Sequence, residues 1–211
     1  MGYRVPAQIT PEILDLCRQL NATSRPIYLS IAPAPGCEPN DCFMCIRRKV
    51  ELDGGRLQAG WSIWEWPNAF IRTEHHAVYE PPTGPPWVDI TPAETPDVRR
   101  RLFLSDDTAT YDFENEGIRR DEHFKTLVDD PAVQEYFRLA REKNEIMNSI
   151  PGVGLVSLQG DQARQFQQNQ HQTAMIEMQL LMKYTPQNAP CFCGGGEKFK
   201  RCHGQMRMGR P

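Results

Sequence analysis

Apolar residues recur along this chain at two spacings, and the change from one to the other marks out the elements. Ile13, Leu14, Leu16, Cys17 and Leu20 fall on one helical face after Thr10, a capping residue, and Pro11, which suits a first helical position. Cys17 then reads as a packed apolar side chain. Ile27 to Ile31 has the composition of a short strand. The segment from Ala32 to Asn40 contains three prolines, which exclude both helix and ladder, so an extended loop is expected. Helical spacing returns from Cys42 to Glu51, with Asp41 as its cap and Asp53-Gly54-Gly55 as its stop.

Aromatic and β-branched residues then dominate Leu57 to Trp66, Ala69 to Tyr79 and Trp87 to Ile90, separated by Pro67-Asn68 and by the proline-rich run from Pro81 to Pro86. Consecutive antiparallel strands are predicted, with Arg101 to Leu104 as a further one. Trp61, Trp64 and Trp66 read as sheet core. Asp121 to Ser149 shows helical periodicity through Phe124, Leu127 and Val128 and again through Val133, Tyr136, Phe137 and Leu139, with Pro131 opening a second helix. Pro151 to Leu158 suggests a turn and a short strand. Asp161 to Tyr184 is rich in Gln and Met and lacks Pro and Gly, which predicts one long helix, ended by Thr185-Pro186. The resulting fold class is α+β, divided into a main domain over 1–158, a linking helix over 159–187 and a small terminal module over 188–211.

Composition narrows the possibilities. Of 211 residues, 39% are hydrophobic and 24% charged, which is globular, while eighteen prolines imply long irregular segments. A net charge of −3 supplies no global positive field, so nucleic-acid binding is not expected. There is no apolar run long enough to span a membrane and no signal-peptide pattern at the start, which points to a cytoplasmic protein. Seven cysteines fall largely into two clusters. In a reducing compartment such clusters act more often as metal ligands or nucleophiles than as disulfides.

The terminal cluster, Cys191, Cys193, Cys202 and His203, offers three thiols and an imidazole within thirteen residues, the donor set of a structural tetrahedral zinc. Gly194, Gly195 and Gly196 permit the sharp turn that brings the two ends together. Phe192 and Phe199 are the only large apolar residues between Pro190 and Gly204, so one zinc ion would supply most of the module's folding free energy. Pro190 to Gly204 resembles the SEC-C motif, found at the end of the translocation motor SecA and appended to many other bacterial proteins. Gly194, Gly196, Lys198, Phe199, Lys200 and Gly204 stand at its non-ligand positions, while Gly195 and Glu197 depart from it. The resemblance implies a docking role toward a protein partner. Four protein ligands leave no open position, so no catalysis is expected at this metal.

The second constellation is Cys42 at a helix start, His75 and His76 on a strand, and Asp89 on the strand after it. A thiol at a helix start is favoured as thiolate by the unsatisfied amides, and a carboxylate beside an imidazole fixes its tautomer. Adjacent His residues alternate across a strand, so only one faces Cys42, and His76 is the better placed. Cys42-Phe43, His76-Ala-Val-Tyr and Trp87-Val-Asp89 are similar to the papain-like and transglutaminase-like superfamily, over roughly Ile27 to Pro92. That resemblance implies a hydrolase or acyltransferase with Cys42, His76 and Asp89 as its catalytic residues, with Asn40 the nearest substitute for an oxyanion donor. One rival reading makes Cys37, Cys42 and Cys45, with His75 or His76, a second zinc site. Another makes the protein a non-enzymatic adaptor that docks through the zinc module. His123 and His171 read as solvent-facing. Substrate and oligomeric state stay open.

Overall fold

A computed structural model describes residues 2–94, 97–114, 120–150 and 157–207. The fold is α+β, built on a five-stranded antiparallel sheet of order β1-β4-β2-β3-β5. Its strands are β1 (Ile27–Ser30), β2 (Arg56–Trp66), β3 (Phe70–Glu80), β4 (Arg100–Ser105) and β5 (His123–Thr126). The helices are α1 (Pro11–Leu20), α2 (Cys42–Asp53), α3 (Pro131–Asn148), α4 (Gly160–Tyr184) and the short α5 (Gly204–Arg207). Among these described residues no helix is long and apolar enough to cross a membrane.

β2 and β3 form the long central hairpin, turned by three residues, Pro67, Asn68 and Ala69, with Asn68 in the left-handed region at φ 62°. The outer face of the sheet is covered by helices. Ile13, Leu16 and Cys17 of α1 pack on Trp61, Ile63, Leu102 and Leu104. Phe43 and Ile46 of α2 pack on Ala59, Ala77 and Tyr79. As expected, Thr10 caps α1 with its hydroxyl and Cys17 is buried. Asp41 precedes α2 without capping it through its side chain, and its carboxylate pairs with Arg48 instead.

The opposite face is divided. At one end α3 and α4 cover it through Tyr136, Phe137 and Leu180, packed on Trp66 and Phe70. Toward the other end Leu29, Val78, Phe103 and Trp87 pack together. There the sheet closes on itself, because Val88 bonds to Tyr79 of β3 in both directions while Asp89 bonds to Ser30 and Ala32 at the end of β1. Thus 88–89 bridges the two edges, and residues facing inward from β1, β4, β2 and β3 are enclosed. Gly60 makes this possible: a Cβ there would come within 2.7 Å of the Phe103 ring and closer still to the Leu104 carbonyl oxygen.

Some expectations change. The segment 123–126 is a strand, not the start of a helix: it adds β5 to Phe70–Thr73, and Phe124 stacks on Phe137 with ring centroids 4.3 Å apart. Trp87 to Ile90 makes isolated bridges rather than a full strand. Trp61 and Trp66 are core, but Trp64 is half-buried and donates its indole N–H to Glu74. His123 is half-buried, edge-on to Trp61. The turn and strand expected at Pro151 to Leu158 lie almost wholly outside the described residues.

Candidate functional site

The inward-facing side of β3 carries Arg72, Glu74 and His76, and β4 adds Arg101. These side chains and the start of α2 line a cleft of about 450 Å³ that contains Cys42, Asn40 and Thr91. Alternation on β3 separates the two histidines. The His75 ring lies between Phe43 and Trp61 on the outer side, and its Nε2–H donates to the Ala109 carbonyl at 2.7 Å. Burial holds this imidazole down to about 4, so it is neutral at ordinary pH.

His76 is 5% exposed and its Nε2–H donates to Oδ2 of Asp89, which is fully buried, at 3.1 Å. Arg101, itself 4% exposed, donates its Nε to the same oxygen and a terminal nitrogen to the Ser62 hydroxyl at 2.9 Å. The Thr91 amide fills Oδ1 at 3.0 Å. Burial raises the Asp89 carboxyl, but the charges of His76 and Arg101 and these hydrogen bonds outweigh it and hold Asp89 down to about 2. At His76, burial and the Arg101 cation oppose the charged form. Asp89 and the charge of Cys42 prevail and push the imidazole up to about 9. Cys42, 7% exposed at the first position of α2, therefore lies within electrostatic reach of His76, and with Nε2 committed to Asp89 the Nδ1 atom is the one left for a thiol.

Cys37 and Cys45 come within hydrogen-bonding distance of each other, but among the described residues no third ligand atom gathers with them. Among the described residues the one group of three or more His, Cys, Asp or Glu whose ligand atoms gather is at the other end of the chain, so a second zinc site in the main domain has no basis. Cys45 instead sits buried one turn into α2, its thiol pushed up to about 12 by burial and by a hydrogen bond with Cys37, with Arg48 3.4 Å away. The Asn40 side chain is occupied by Glu94 at 2.8 Å. The backbone donors nearest Cys42 are the first amides of α2, which no side chain caps.

Arg101 was not visible as a site residue in the sequence. The available signal was its place two residues before Phe103, on the same side of the strand and next to the apolar run Leu102–Leu104, where a cation requires a buried anion.

In the terminal module Gly194 and Gly196 both take positive φ, at 75° and 79°, and Pro190 bridges Lys198 across the turn. Phe199 is fully buried, with Phe192 5.9 Å from it and 4.8 Å from the His203 ring. A Cβ at Gly204 would collide with the Phe199 carbonyl, so the chain can only turn tightly there as glycine. The result brings Sγ of Cys191, Cys193 and Cys202 and a ring nitrogen of His203 within 4.8 Å of one another. His203 Nδ1 is 3.3 Å from both Cys191 and Cys202, and the Cys193 and Cys202 sulfurs are 3.6 Å apart. Tetrahedral zinc at ordinary bond lengths separates such donors by roughly 3.5–3.8 Å, so the set fits the ion with little movement. The backbone amides of Cys193 and His203 also donate to the Cys191 sulfur, which favours a thiolate ligand.

Comparison with known proteins bears on this end. The model of the SEC-C motif matches residues 188–205. The protein translocase subunit SecA of one Pseudomonas putida strain is 32% identical over 105 residues, covering 43% of this chain and 10% of the relative. That of a second strain is 33% identical over 103 residues, with the same coverage. The chain thus spans about a tenth of the length of these relatives. No solved structure matches it. What the four gathered donors and the glycine turn build at residues 188–205 is a SEC-C motif, a zinc-binding module.

Proposed function

We propose that the main domain is a cysteine hydrolase or acyltransferase of the papain-like or transglutaminase-like kind, joined to a zinc module that docks a protein partner. The observation that carries the reading is the buried hydrogen bond from His76 to Asp89 in a cleft that Cys42 lines from the start of α2. In the proposed reaction the Cys42 sulfur attacks a carbonyl carbon, forming a C–S bond while the carbonyl electrons move onto oxygen. The oxygen faces the first amides of α2. Collapse of this intermediate expels the leaving group, which takes the proton from His76. His76 then accepts a proton from water, or from an acceptor nucleophile, as that group displaces sulfur, which leaves as thiolate beside the re-formed imidazolium.

Asp89 keeps Nε2 protonated throughout. In this reading His76 and Cys42 form the reacting pair, with Asp89 and Arg101 holding the imidazole in place. The zinc module contributes no step. By analogy with a translocase subunit, its place is in recognition of other proteins, with one zinc held by Cys191, Cys193, Cys202 and His203.

The test is labelling of the zinc-loaded protein by iodoacetamide at neutral pH, read by mass spectrometry. Cys42 should alkylate at least tenfold faster than Cys17 or Cys45, and His76→Ala should remove most of that difference. Uniformly slow labelling that is indifferent to His76 would leave the main domain as a binding scaffold.

A further inference from the structure

Cys37 and Cys45 take no part in the chemistry proposed for Cys42, yet the fold brings their side chains together. Cys37 lies in the proline-rich loop before α2 and Cys45 one turn into that helix, and their thiols share a hydrogen bond. The Glu38 amide also donates to the Cys45 sulfur, so the backbone beside Cys37 already rests on it. The Cys37 Cα is two covalent bonds from that amide nitrogen, which leaves little more than a side-chain rotation for a disulfide to form. Arg48 holds the arrangement from outside. Its guanidinium reaches the Gly36 carbonyl and the Asp41 carboxylate, both at 3.3 Å, and the Cys45 sulfur at 3.4 Å, clipping the loop to the helix on both sides of Cys37.

We infer that Cys37 and Cys45 are a reversible oxidation site, a dithiol that a hydroperoxide converts to an intramolecular disulfide across the start of α2. The inference is independent of the reaction proposed for Cys42.

The two thiols are unequal in a way that suits this chemistry. Cys45 is 1% exposed, and burial together with the Cys37 hydrogen bond pushes its thiol up to about 12, so it neither ionises at ordinary pH nor meets an oxidant directly. Cys37 is half-buried and is the sulfur that solvent can reach. The Cys37 thiolate attacks the peroxide: an S–O bond forms as the O–O bond breaks, and the hydroxide that leaves takes up the proton Cys37 gave away. The Cys45 sulfur then attacks the sulfenic sulfur. The S–S bond forms, the S–O bond breaks, and the departing hydroxide carries off the Cys45 proton as water. The Glu38 amide and Arg48, both on the Cys45 sulfur, steady it as that proton leaves. In all, two thiols lose two electrons and hydrogen peroxide becomes two waters.

The loop is tied at its other end as well, because the Ala32 and Ala34 amides donate to the carbonyls of Asp89 and Ile90 at 2.8 and 3.0 Å. A bond between Cys37 and Cys45 therefore fastens the end of α2 that bears Cys42 to the segment that bears Asp89. Oxidation makes covalent a contact that is otherwise held by hydrogen bonds.

The test uses the full-length, zinc-loaded protein with its natural sequence, treated with stoichiometric hydrogen peroxide and then blocked with N-ethylmaleimide. Cleavage before Asp41 and after Phe43 places Cys37, Cys42 and Cys45 in separate peptides. Mass spectrometry should find the Cys37 and Cys45 peptides joined, lighter by two hydrogens than their sum and parted by dithiothreitol. The same link should form in Cys42→Ala, and Cys45→Ser should raise trapping of the Cys37 sulfenic acid by dimedone at least fivefold. Amide exchange over 37–45 should slow at least threefold on oxidation. Recovery of Cys37 and Cys45 unlinked, or of Cys45 joined to Cys42, would overturn the inference; unchanged dimedone trapping would overturn Cys37 as the sulfur attacked, and unchanged exchange the fastening of α2. The mapping needs no substitution, so it stands even if a variant fails to fold. Slow alkylation of Cys42 would sink the enzyme reading and leave this site intact, and an unlinked pair here leaves the alkylation result untouched.

Discussion

Arg101 and His76 meet on a single oxygen, Oδ2 of Asp89. The carboxylate therefore serves two cations at once, and each weakens its hold on the other. Arg101 opposes protonation of His76, so the imidazole titrates lower than Asp89 alone would set it. Replacing Arg101 by Met should move the His76 titration upward from about 9 and lower stability by about 3 kcal/mol, since one member of a buried ionic group is removed. Imidazole NMR titration and urea unfolding check the two parts separately. An unchanged His76 titration would refute the coupling.

The two histidines should give opposite pH dependences. His76 has a folded value raised from 6.5 to about 9, so its stabilising contribution is complete below pH 6.5 and is lost as the pH rises toward 9. His75 has a folded value lowered from 6.5 to about 4, so its contribution is complete above pH 6.5 and is lost as the pH falls toward 4. Stability should peak near pH 6.5, with limbs approaching about 1.4 kcal/mol per pH unit. His76→Gln should flatten the alkaline limb and His75→Gln the acid one, in urea melts at a series of pH values.

Gly60→Ala tests the enclosed part of the sheet. The added Cβ would strike the Phe103 ring and the Leu104 backbone, and backbone cannot yield as a flexible side chain does. A loss of about 2–4 kcal/mol is expected, the range of severe overpacking, read as a lower unfolding midpoint with unchanged denaturant slope.

Zinc removal should be local. Chelation is expected to release one zinc per chain and to expose Phe192 and Phe199, raising proteolysis within residues 188–205, because these rings have little else to bury against. Cys193→Ser should do the same without chelator. Differential scanning calorimetry should show the main transition preserved within a few degrees.

Much of this molecule was legible in its sequence where one local rule dominated. Thr10-Pro11 announces α1, the Gly54 stop ends α2, and the cysteine spacing with three glycines discloses the metal ligands before any fold is known. Alternation tells from the sequence that His75 and His76 face opposite sides, and the structure gives the Asp89 side to His76. What could not be read depends on distant partners. Phe124, Leu127 and Val128 fit helical spacing, and only the exposed edge of β3 makes His123–Thr126 a strand. Arg72 and Arg101 look like ordinary surface cations until the register of β3 and β4 turns them inward.

The bridge made by 88–89 has a consequence in time as well as space. During synthesis Cys42 leaves the ribosome first, then His76, then Asp89, and only afterwards the strand bearing Arg101. Val88 bonds directly to β3, whereas β1, on the other side of the bridge, joins the rest of the sheet through β4. An unfinished chain can thus lay Val88 on β3 before it has either the strand that secures β1 or the Arg101 guanidinium that shares the Asp89 carboxylate.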